Sequence, residues 1–192
     1  LRKNNTLNAI DESLKKLQMD YVDLYLIHWP VEGFYIDAWL EMEEIYQEGK
    51  ALSVGVSNFM THHLDDILKA GSIVPAVNQV EFHPYLQLPD LYDFCNNQEI
   101  QLEAWAPLMQ GQGFDLPTIR KIAKRHNKMP AQILIRWDLQ KRVVTIPKST
   151  NKKHIESNIN VFDFHLDNED MAEIAAMNKN ERIGADPDNF NF

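Results

Sequence analysis

Several side chains that could do chemistry stand directly after short apolar segments of this sequence. The segment LYLI is followed by a histidine and a tryptophan, and other apolar segments are followed by hydroxyl, amide, indole or ammonium groups. An imidazole changes charge near neutral pH, amides and hydroxyls can hold a carboxamide, and an ammonium group can hold a phosphate. The candidates are His28 with Trp29, Ser57 with Asn58, Gln79 to His83, Trp105, and Lys148 with Ser149 and Thr150.

The stretch IPKST, residues 146–150, has the composition of a phosphate receptor. A helix is predicted to begin near Asn151, which would place the lysine and two hydroxyls beside the backbone N–H groups of a helix N-terminus. The face of Trp105, together with hydroxyl and amide partners, suits a flat heterocycle that carries a carboxamide. A nicotinamide nucleotide fits both descriptions, and His28 would then lie near a reacting carbonyl.

Each of these residues taken singly has a structural explanation. A histidine at a strand end is commonly a hydrogen-bonded structural residue, and Ser57 with Asn58 would cap a following helix. Gln79 would be a satisfied core amide, Trp105 a packing residue and Lys148 a solvated charge. The functional interpretation therefore depends on a fold that brings all of them to one surface.

Helical and strand-like apolar patterns alternate along the chain, with glycines and prolines between them. The predicted helices span about 6–18, 36–50, 61–71, 88–98, 116–127, 130–142, 152–159 and 168–178, and the predicted strands about 21–29, 51–59, 75–84, 100–108 and 143–149.

This alternation predicts an α/β fold with a parallel sheet and helices packed on it. A doubly wound nucleotide-binding sheet would carry a glycine-rich turn after its first strand, and the sequence contains no GxGxxG motif. A (β/α)8 TIM barrel instead gathers the carboxyl ends of its strands at one mouth, where the candidates would meet. We therefore expect residues 1–192 to belong to a single barrel domain and to supply about five of its strands.

Charge and cysteine content exclude several classes of function. The net charge of -9 comes from 19 Lys+Arg and 28 Asp+Glu, so no basic field would attract a nucleic acid. The single cysteine, Cys95, excludes an intramolecular disulfide and suits the cytoplasm. No apolar run approaches the roughly 18 residues of a membrane span. We expect a cytoplasmic protein whose partner is a small molecule rather than a nucleic acid or a membrane.

The sequence resembles the aldo-keto reductases from about Asn5 to its carboxyl terminus. The matching motifs are DYVDLYLIHWP, GVSNF, NQVEFHP, AWAPL and IPKS, in the order and near the spacing of that family. It is similar in particular to bacterial members that reduce small carbonyls such as glyoxals, and the tail DPDNFNF, which ends at Phe192, is part of this similarity. The resemblance implies a TIM barrel, NADPH bound without a Rossmann fold, and hydride transfer to an aldehyde or ketone.

The resemblance also implies a role for each motif residue. His28 would orient the substrate carbonyl, Trp29 would line the substrate pocket, and Trp105 would stack on the nicotinamide ring. The carboxamide would be held by Ser57, Asn58 and Gln79, and the adenosine 2′-phosphate end by Lys148, Ser149, Thr150 and Asn158.

Two positions near the IPKS motif depart from the family pattern. His154 stands where the family usually has an arginine, and Ser157 stands where it often has a glutamate. An arginine offers a fixed bidentate fork to a phosphate, whereas a histidine offers at most one charge-dependent donor in that direction. We therefore predict that NADPH is preferred over NADH, but less strongly than is usual for the family.

The family's acid, a tyrosine assisted by a lysine and an aspartate, has no counterpart among these residues. In the family all three lie on strands that precede the helix at NNTLNAIDESLKKL, and no tyrosine here occupies the acid's motif. The chain starts at Leu1 rather than at a methionine. We expect it to be the carboxyl-terminal portion of a longer protein, inactive in carbonyl reduction by itself, and a monomer once its barrel is complete.

Two other classes of function remain open at the level of sequence. A truncated barrel would serve as a module that binds the nucleotide without turnover, or as a structural subunit recruited through open sheet edges. A phosphate-sugar aldolase or isomerase would use IPKST for substrate phosphate but would need a deep lysine or paired carboxylates.

His62 and His63 are neighbours at a helix start, so we expect their side chains to diverge and predict no metal site.

Overall fold

Helices and strands alternate through the part of the chain that the computed structural model describes, residues 5–190. Two residues used in the sequence analysis lie outside the described residues. They are Leu1, the first residue of the chain, and Phe192, the last residue of the tail DPDNFNF. The elements are α1 (Thr6–Leu17), β1 (Tyr25–Ile27), α2 (Tyr35–Gln47), β2 (Val54–Ser57), α3 (Thr61–Ala70), β3 (Val77–Glu81), α4 (Pro89–Asn97), β4 (Gln101–Trp105), α5 (Pro117–His126), α6 (Pro130–Gln140), β5 (Val144–Thr145), α7 (Lys152–Ile159) and α8 (Asn168–Ala175), with a 3₁₀ segment at Met109–Asp115.

The strands form one five-stranded sheet in the order β1-β2-β3-β4-β5, which confirms the predicted α/β fold. Neighbouring strands are parallel, with Leu26 opposite Gly55 and Ala104 opposite Thr145. This topology follows from the sequence, because a helix between successive strands returns the chain to the same end of the sheet. No helix among residues 5–190 is long and apolar enough to cross a bilayer.

The strands are shorter than the apolar segments that predicted them. The first predicted strand, about 21–29, pairs regularly only at Tyr25–Ile27, and Val22 forms an isolated bridge to Ala51. The last predicted strand, about 143–149, pairs only at Val144–Thr145. Tyr21, Leu24 and Ile146 lie inside the predicted strands but outside the paired residues, and each is at least 36% exposed. Apolar character alone therefore overestimates strand length.

The chain divides into two compact units. The first comprises the described residues 5–79, 93–101 and 187–190, and the second comprises residues 80–92 and 102–186.

The core of the first unit is formed where helices cover β1 and β2. Trp39 and Met42 on α2 are fully buried, as is Val56 on β2. The left-handed φ of +73° at Gly49 lets the chain turn after α2. Cys95 is also buried here, and burial raises the pKa of its thiol to about 12, so the thiol is protonated and unreactive at neutral pH.

The core of the second unit centres on α6. Leu134 and Trp137 on this helix are buried, and the Trp137 ring stacks on Phe82 at 5.2 Å between centroids. Asp138 is fully buried beside them, and burial raises the pKa of its carboxyl well above the usual value. Thr145 donates a hydrogen bond to Asp138 Oδ2 at 2.8 Å, which ties α6 to β5.

Candidate functional site

The end of β1 presents the first candidate residues at the surface of the first unit. His28 follows the last residue of β1 and is exposed, and Trp29 beside it is half-buried. The amide of Asn58 donates to the backbone oxygen of His28 at 3.0 Å. This bond joins the loop after β1 to the loop after β2, so the ends of the two strands are held together as the parallel sheet requires.

Ser57 and Asn58 bind the neighbouring strand rather than the following helix. The Ser57 hydroxyl donates to the backbone oxygen of Gln79 at 2.8 Å, and the Asn58 backbone N–H donates to the same oxygen at 2.8 Å. Helix α3 starts after Met60, so neither residue is its N-cap. The helix-capping explanation is therefore wrong for this pair. Gln79 lies in the middle of β3, half-buried, rather than at the strand's end.

A cavity of about 810 Å³ opens beside His28 and Trp29 in the first unit. The ring of Phe190, from the carboxyl-terminal tail, stacks on Trp29 at 4.4 Å with an angle of 16° between planes.

The hydroxyl of Tyr35 donates to Asp66 Oδ2 at 2.5 Å, and burial together with Asp66 raises the pKa of Tyr35 to about 12. A phenol so committed to a carboxylate is a poor proton donor to a substrate, which agrees with its lying outside the family's acid motif.

The side chains of His62 and His63 converge at the wall of this cavity, so the expectation that they diverge is wrong. Their Nε2 atoms lie 3.1 Å apart, and Oδ1 of Asp188 lies 3.4 Å from the His62 atom and 3.9 Å from the His63 atom. The spacing comes from side-chain rotamers, which adjacency in sequence does not determine.

The hydrogen bonds of His63 nonetheless oppose metal binding. Its Nδ1 accepts the backbone N–H of Met60 at 3.1 Å, so the neutral ring carries its proton on Nε2, the atom that a metal would need. Burial and the neighbouring His62 lower the pKa of His63 to about 4, so the ring is neutral at cell pH. The two rings are hydrogen-bonded to each other with Asp188 close by, and the absence of a metal site stays a prediction.

A second cavity, of about 700 Å³, lies in the second unit beyond β5. Lys148, Ser149 and Asn158 line it together, and so do His154 and Ser157. Thr150 is not among the described residues that line it. Gln110 also lines the cavity, which thus collects one ammonium, two hydroxyls, two amides and an imidazole. This donor set is suited to a phosphate ester.

The loop before α7 is held in place by local hydrogen bonds. Asn151 is the N-cap, as expected, and its side chain accepts the Lys153 backbone N–H at 2.9 Å. The Ser149 hydroxyl accepts the Asn151 N–H at 3.1 Å. These bonds use the side chains that prefer helix N-termini, and they fix the residues of IPKST at the start of a helix.

Sequence reasoning missed the apolar wall of this second cavity. That wall comes from the loop after β4, from Phe114 in the 3₁₀ segment, from Met129 and Pro130 at the start of α6, and from the residues after β5. A signal was present in MQGQG, whose two glycines are typical of an irregular segment between β4 and α5. The apolar lining includes Pro107, Leu108, Phe114, Met129, Pro130, Ile146 and Pro147.

Trp105 is the last residue of β4 and is half-buried in the second unit. Gly184 packs against the edge of its indole so closely that a Cβ on Gly184 would lie only 3.2 Å from Cζ3 and would overlap Cη2. The ring is therefore in contact with a segment more than seventy residues further along the chain, which no sequence pattern predicted.

The chain matches a known protein family and is similar in sequence to bacterial oxidoreductases. Residues 1–179 match the model of the Aldo/keto reductase family. The chain is 55% identical over 187 residues to the uncharacterized oxidoreductase YtbE of Bacillus subtilis, an alignment that covers 97% of this chain and 67% of that protein. It is 54% identical to the glyoxal reductase of the same organism, with 97% and 68% covered.

Solved structures agree with the sequence comparison. The crystal structure of a Gox0644 mutant in complex with NADPH superimposes with a TM-score of 0.95 at 43% identity, covering 98% of this chain and 71% of that one. The motifs, the five parallel strands and these matches all indicate the same protein family.

Proposed function

The chain belongs to the aldo/keto reductase family, and on that basis we propose that it contributes to the NADPH-dependent reduction of small aldehydes and ketones, glyoxals among them, to alcohols. The observation that carries this proposal is the cavity beyond β5, where Lys148, Ser149 and Asn158 meet. Relatives named for glyoxal reduction and structures that contain NADPH support it. We place this activity in the cytoplasm, with a small carbonyl compound as partner.

The cofactor's role and the protein's role are separate in this chemistry. Bound NADPH supplies a hydride to the carbonyl carbon, and the carbonyl oxygen then needs a proton. We assign His28 to orienting that oxygen and Trp29 to lining the substrate pocket. In our proposal the nicotinamide ring stacks on Trp105, its carboxamide is held by Ser57, Asn58 and Gln79, and the 2′-phosphate end is held by Lys148, Ser149, Thr150 and Asn158.

We further propose that these 192 residues are the carboxyl-terminal portion of one barrel domain and do not complete catalysis alone. The sheet has five strands, whereas a closed barrel of this type has eight. The proton donor would come from the βα units that complete the barrel, and the complete barrel would act as a monomer. Without the donor, bound NADPH would not be consumed.

A pair of lysine variants tests the cofactor assignment. Lys148→Gln removes the ammonium group from the cavity, and Lys152→Gln removes an exposed ammonium of α7 whose nearest ion-pair partner is Glu156 at 3.8 Å. We expect Lys148→Gln to weaken NADPH binding by about tenfold or more, since a charged hydrogen bond is worth about 1.5–3 kcal/mol. Its effect on NADH should be small, because NADH lacks the 2′-phosphate.

Isothermal titration calorimetry of NADPH and NADH into each variant measures the dissociation constants that test this expectation. Lys152→Gln should bind both nucleotides as the unmodified chain does. Equal losses of NADPH and NADH affinity in Lys148→Gln would remove the 2′-phosphate assignment. A folded chain that binds neither nucleotide would leave only the structural role proposed for a truncated barrel.

A further inference from the structure

A buried carboxylate in the second unit has no place in the proposed reaction. Glu81, the last residue of β3, is 1% exposed, and its side chain accepts hydrogen bonds from two backbone N–H groups of a distant segment. The N–H of Ile183 donates to Oε1 at 2.6 Å, and the N–H of Gly184 reaches both carboxylate oxygens at 3.2 Å. We call residues 179–184 the strap.

Arg182 of the strap also faces this carboxylate, with its Nη1 4.0 Å from Oε2, and His83 contacts the other oxygen. Its Nε2–H donates to Oε1 of Glu81 at 3.0 Å, and both side chains are fully buried. Burial alone would raise the pKa of Glu81, but the hydrogen bonds from His83, Ile183 and Gly184 outweigh it and hold that pKa below its usual value. A carboxylate without such donors would be costly to bury, so Glu81 is ionised because the strap lies on it.

A second attachment holds the start of the strap. The backbone oxygen of Tyr85, in the loop after β3, accepts the N–H groups of Lys179 at 3.0 Å and Glu181 at 3.1 Å. The ammonium of Lys179 also lies 3.7 Å from the centre of the Tyr85 ring. The strap is therefore fixed at both ends to β3 and its following loop.

The far end of the strap supports Trp105. Glu81 fixes the N–H of Gly184, and Gly184 in turn contacts Cζ3 and Cη2 of the indole. Only a hydrogen fits at that contact, because a Cβ would overlap the ring. The edge of the ring thus meets backbone that a buried carboxylate holds in place, rather than a side chain that can change rotamer.

We propose that Glu81 is a positioning residue for Trp105, acting through the strap to fix the orientation of the indole on which the nicotinamide stacks. The last clause rests on the proposed function, whereas the link from Glu81 to Trp105 does not. A half-buried indole at a strand end has more than one rotamer open to it unless something blocks the others. Stacking requires one orientation of the ring in advance, and the strap supplies that constraint.

Three variants separate this role from a general structural one. Glu81→Gln keeps the shape of the side chain but turns one acceptor into a donor facing backbone N–H groups. Gly184→Ala leaves Glu81 intact and displaces the strap from the indole. Glu181→Gln changes an exposed carboxylate of the same strap and serves as the matched control.

Fluorine NMR of chains labelled with fluorotryptophan reports the result without any cofactor. The sequence has four tryptophans, so Trp105→Phe assigns one resonance and the buried Trp39 and Trp137 report whether the fold is intact. We expect Glu81→Gln and Gly184→Ala to shift or broaden the Trp105 resonance while those of Trp39 and Trp137 stay in place. Glu181→Gln should leave all of them unchanged. If Glu81→Gln prevents folding, Gly184→Ala decides the question.

NADPH titration of the same variants tests the functional clause. A lost stacking orientation should raise the NADPH dissociation constant roughly two- to tenfold. An unmoved Trp105 resonance in a folded Gly184→Ala chain would overturn the proposal. A moved resonance in a chain whose unmodified form binds no NADPH would support the link from Glu81 to Trp105 and contradict the proposed function instead.

Discussion

Asn58 combines a special backbone conformation with a side-chain bond to another strand end. Its φ is +65°, in the left-handed region that asparagine and glycine tolerate best, and its amide donates to the His28 backbone oxygen. We expect Asn58→Ala to destabilise the chain by about 2 kcal/mol or more, from roughly 1 kcal/mol of backbone strain and about 1 kcal/mol for the lost hydrogen bond.

Asn58→Gly is the matched variant, because glycine removes the side-chain bond without adding strain. It should cost about half as much as Asn58→Ala, and urea unfolding followed by circular dichroism measures both. Equal destabilisation by the two substitutions would show that the left-handed backbone contributes nothing.

His154 sets the expected strength of the NADPH preference. It lines the cavity with Lys148, at the position where family members usually carry an arginine. His154→Arg should raise the preference for NADPH over NADH by about tenfold or more, because a guanidinium offers a charged bidentate bond to a phosphate. Lys153→Arg, at the preceding residue, should leave the ratio of NADPH to NADH affinity unchanged. Dissociation constants for both nucleotides measure it, and no gain in His154→Arg would show that Lys148 and its neighbours suffice.

At this scale the sequence predicts residue types better than contacts. The hydroxyl of Ser57 and the amide of Asn58 were identified as site groups, but their bonds to Gln79 and His28 depend on which strands are neighbours. The convergence of His62 and His63 depends on rotamers, and adjacency in sequence suggested the opposite. Long-range hydrogen bonds such as those of Glu81 leave no local pattern at all.

Among the elements, the helices followed the sequence more closely than the strands did. Helix α7 spans Lys152–Ile159, the range that the apolar pattern predicted, and α5 and α6 begin at Pro117 and Pro130, where proline favours a first turn. The strands were overestimated, because apolar residues such as Leu24 and Ile146 flank the residues that pair without being buried. The 3₁₀ segment was missed for lack of a periodic pattern.

The strap should be sensitive to acid and insensitive to pH elsewhere. Because the folded-state pKa of Glu81 is held below its usual value, the ionised carboxylate stabilises the strap above the unfolded pKa of a glutamate, about 4.3. That contribution is lost as the pH falls through the folded-state pKa. The amides of Ile183 and Gly184 should keep constant hydrogen-exchange protection at higher pH and lose it progressively in more acidic solution.

The amides of Lys179 and Glu181 provide an internal control for this measurement. They donate to the Tyr85 backbone oxygen, which does not titrate, so their protection should persist when that of Ile183 and Gly184 falls. Parallel loss at all four amides, after correction for intrinsic exchange rates, would mean that the whole unit opens and that Glu81 has no separate effect.

For the whole molecule, the parallel five-stranded sheet could be predicted from the alternation of helical and strand-like apolar patterns. The positions of the exposed apolar side chains could not be predicted. Ile159 is 73% exposed and Phe162 is 71% exposed in the second unit, and β1 and β5 end the order of strands. Exposed apolar side chains that lie near each other and unpaired sheet edges are both suited to association with another chain. The relatives have additional length, since the chain covers 67% and 68% of the two compared.

We therefore expect the 192-residue chain to associate as its concentration rises. Sedimentation velocity over a range of concentrations should show species larger than a monomer, and replacing Ile159 and Phe162 together by asparagine should reduce them without loss of stability. Addition of the complementary βα units of a relative should also reduce them. A monodisperse monomer at all concentrations would argue that these side chains need no cover.

In our proposal the chain binds NADPH but cannot complete the reduction of a carbonyl. The most direct measurement follows the fluorescence and absorbance of NADPH in one sample, first on addition of the chain and then on addition of glyoxal. We predict saturable binding of NADPH, with no consumption after glyoxal is added. Consumption of NADPH by the chain alone would contradict the proposal that its proton donor comes from other βα units, and a folded chain that does not bind NADPH would contradict the proposed cofactor site.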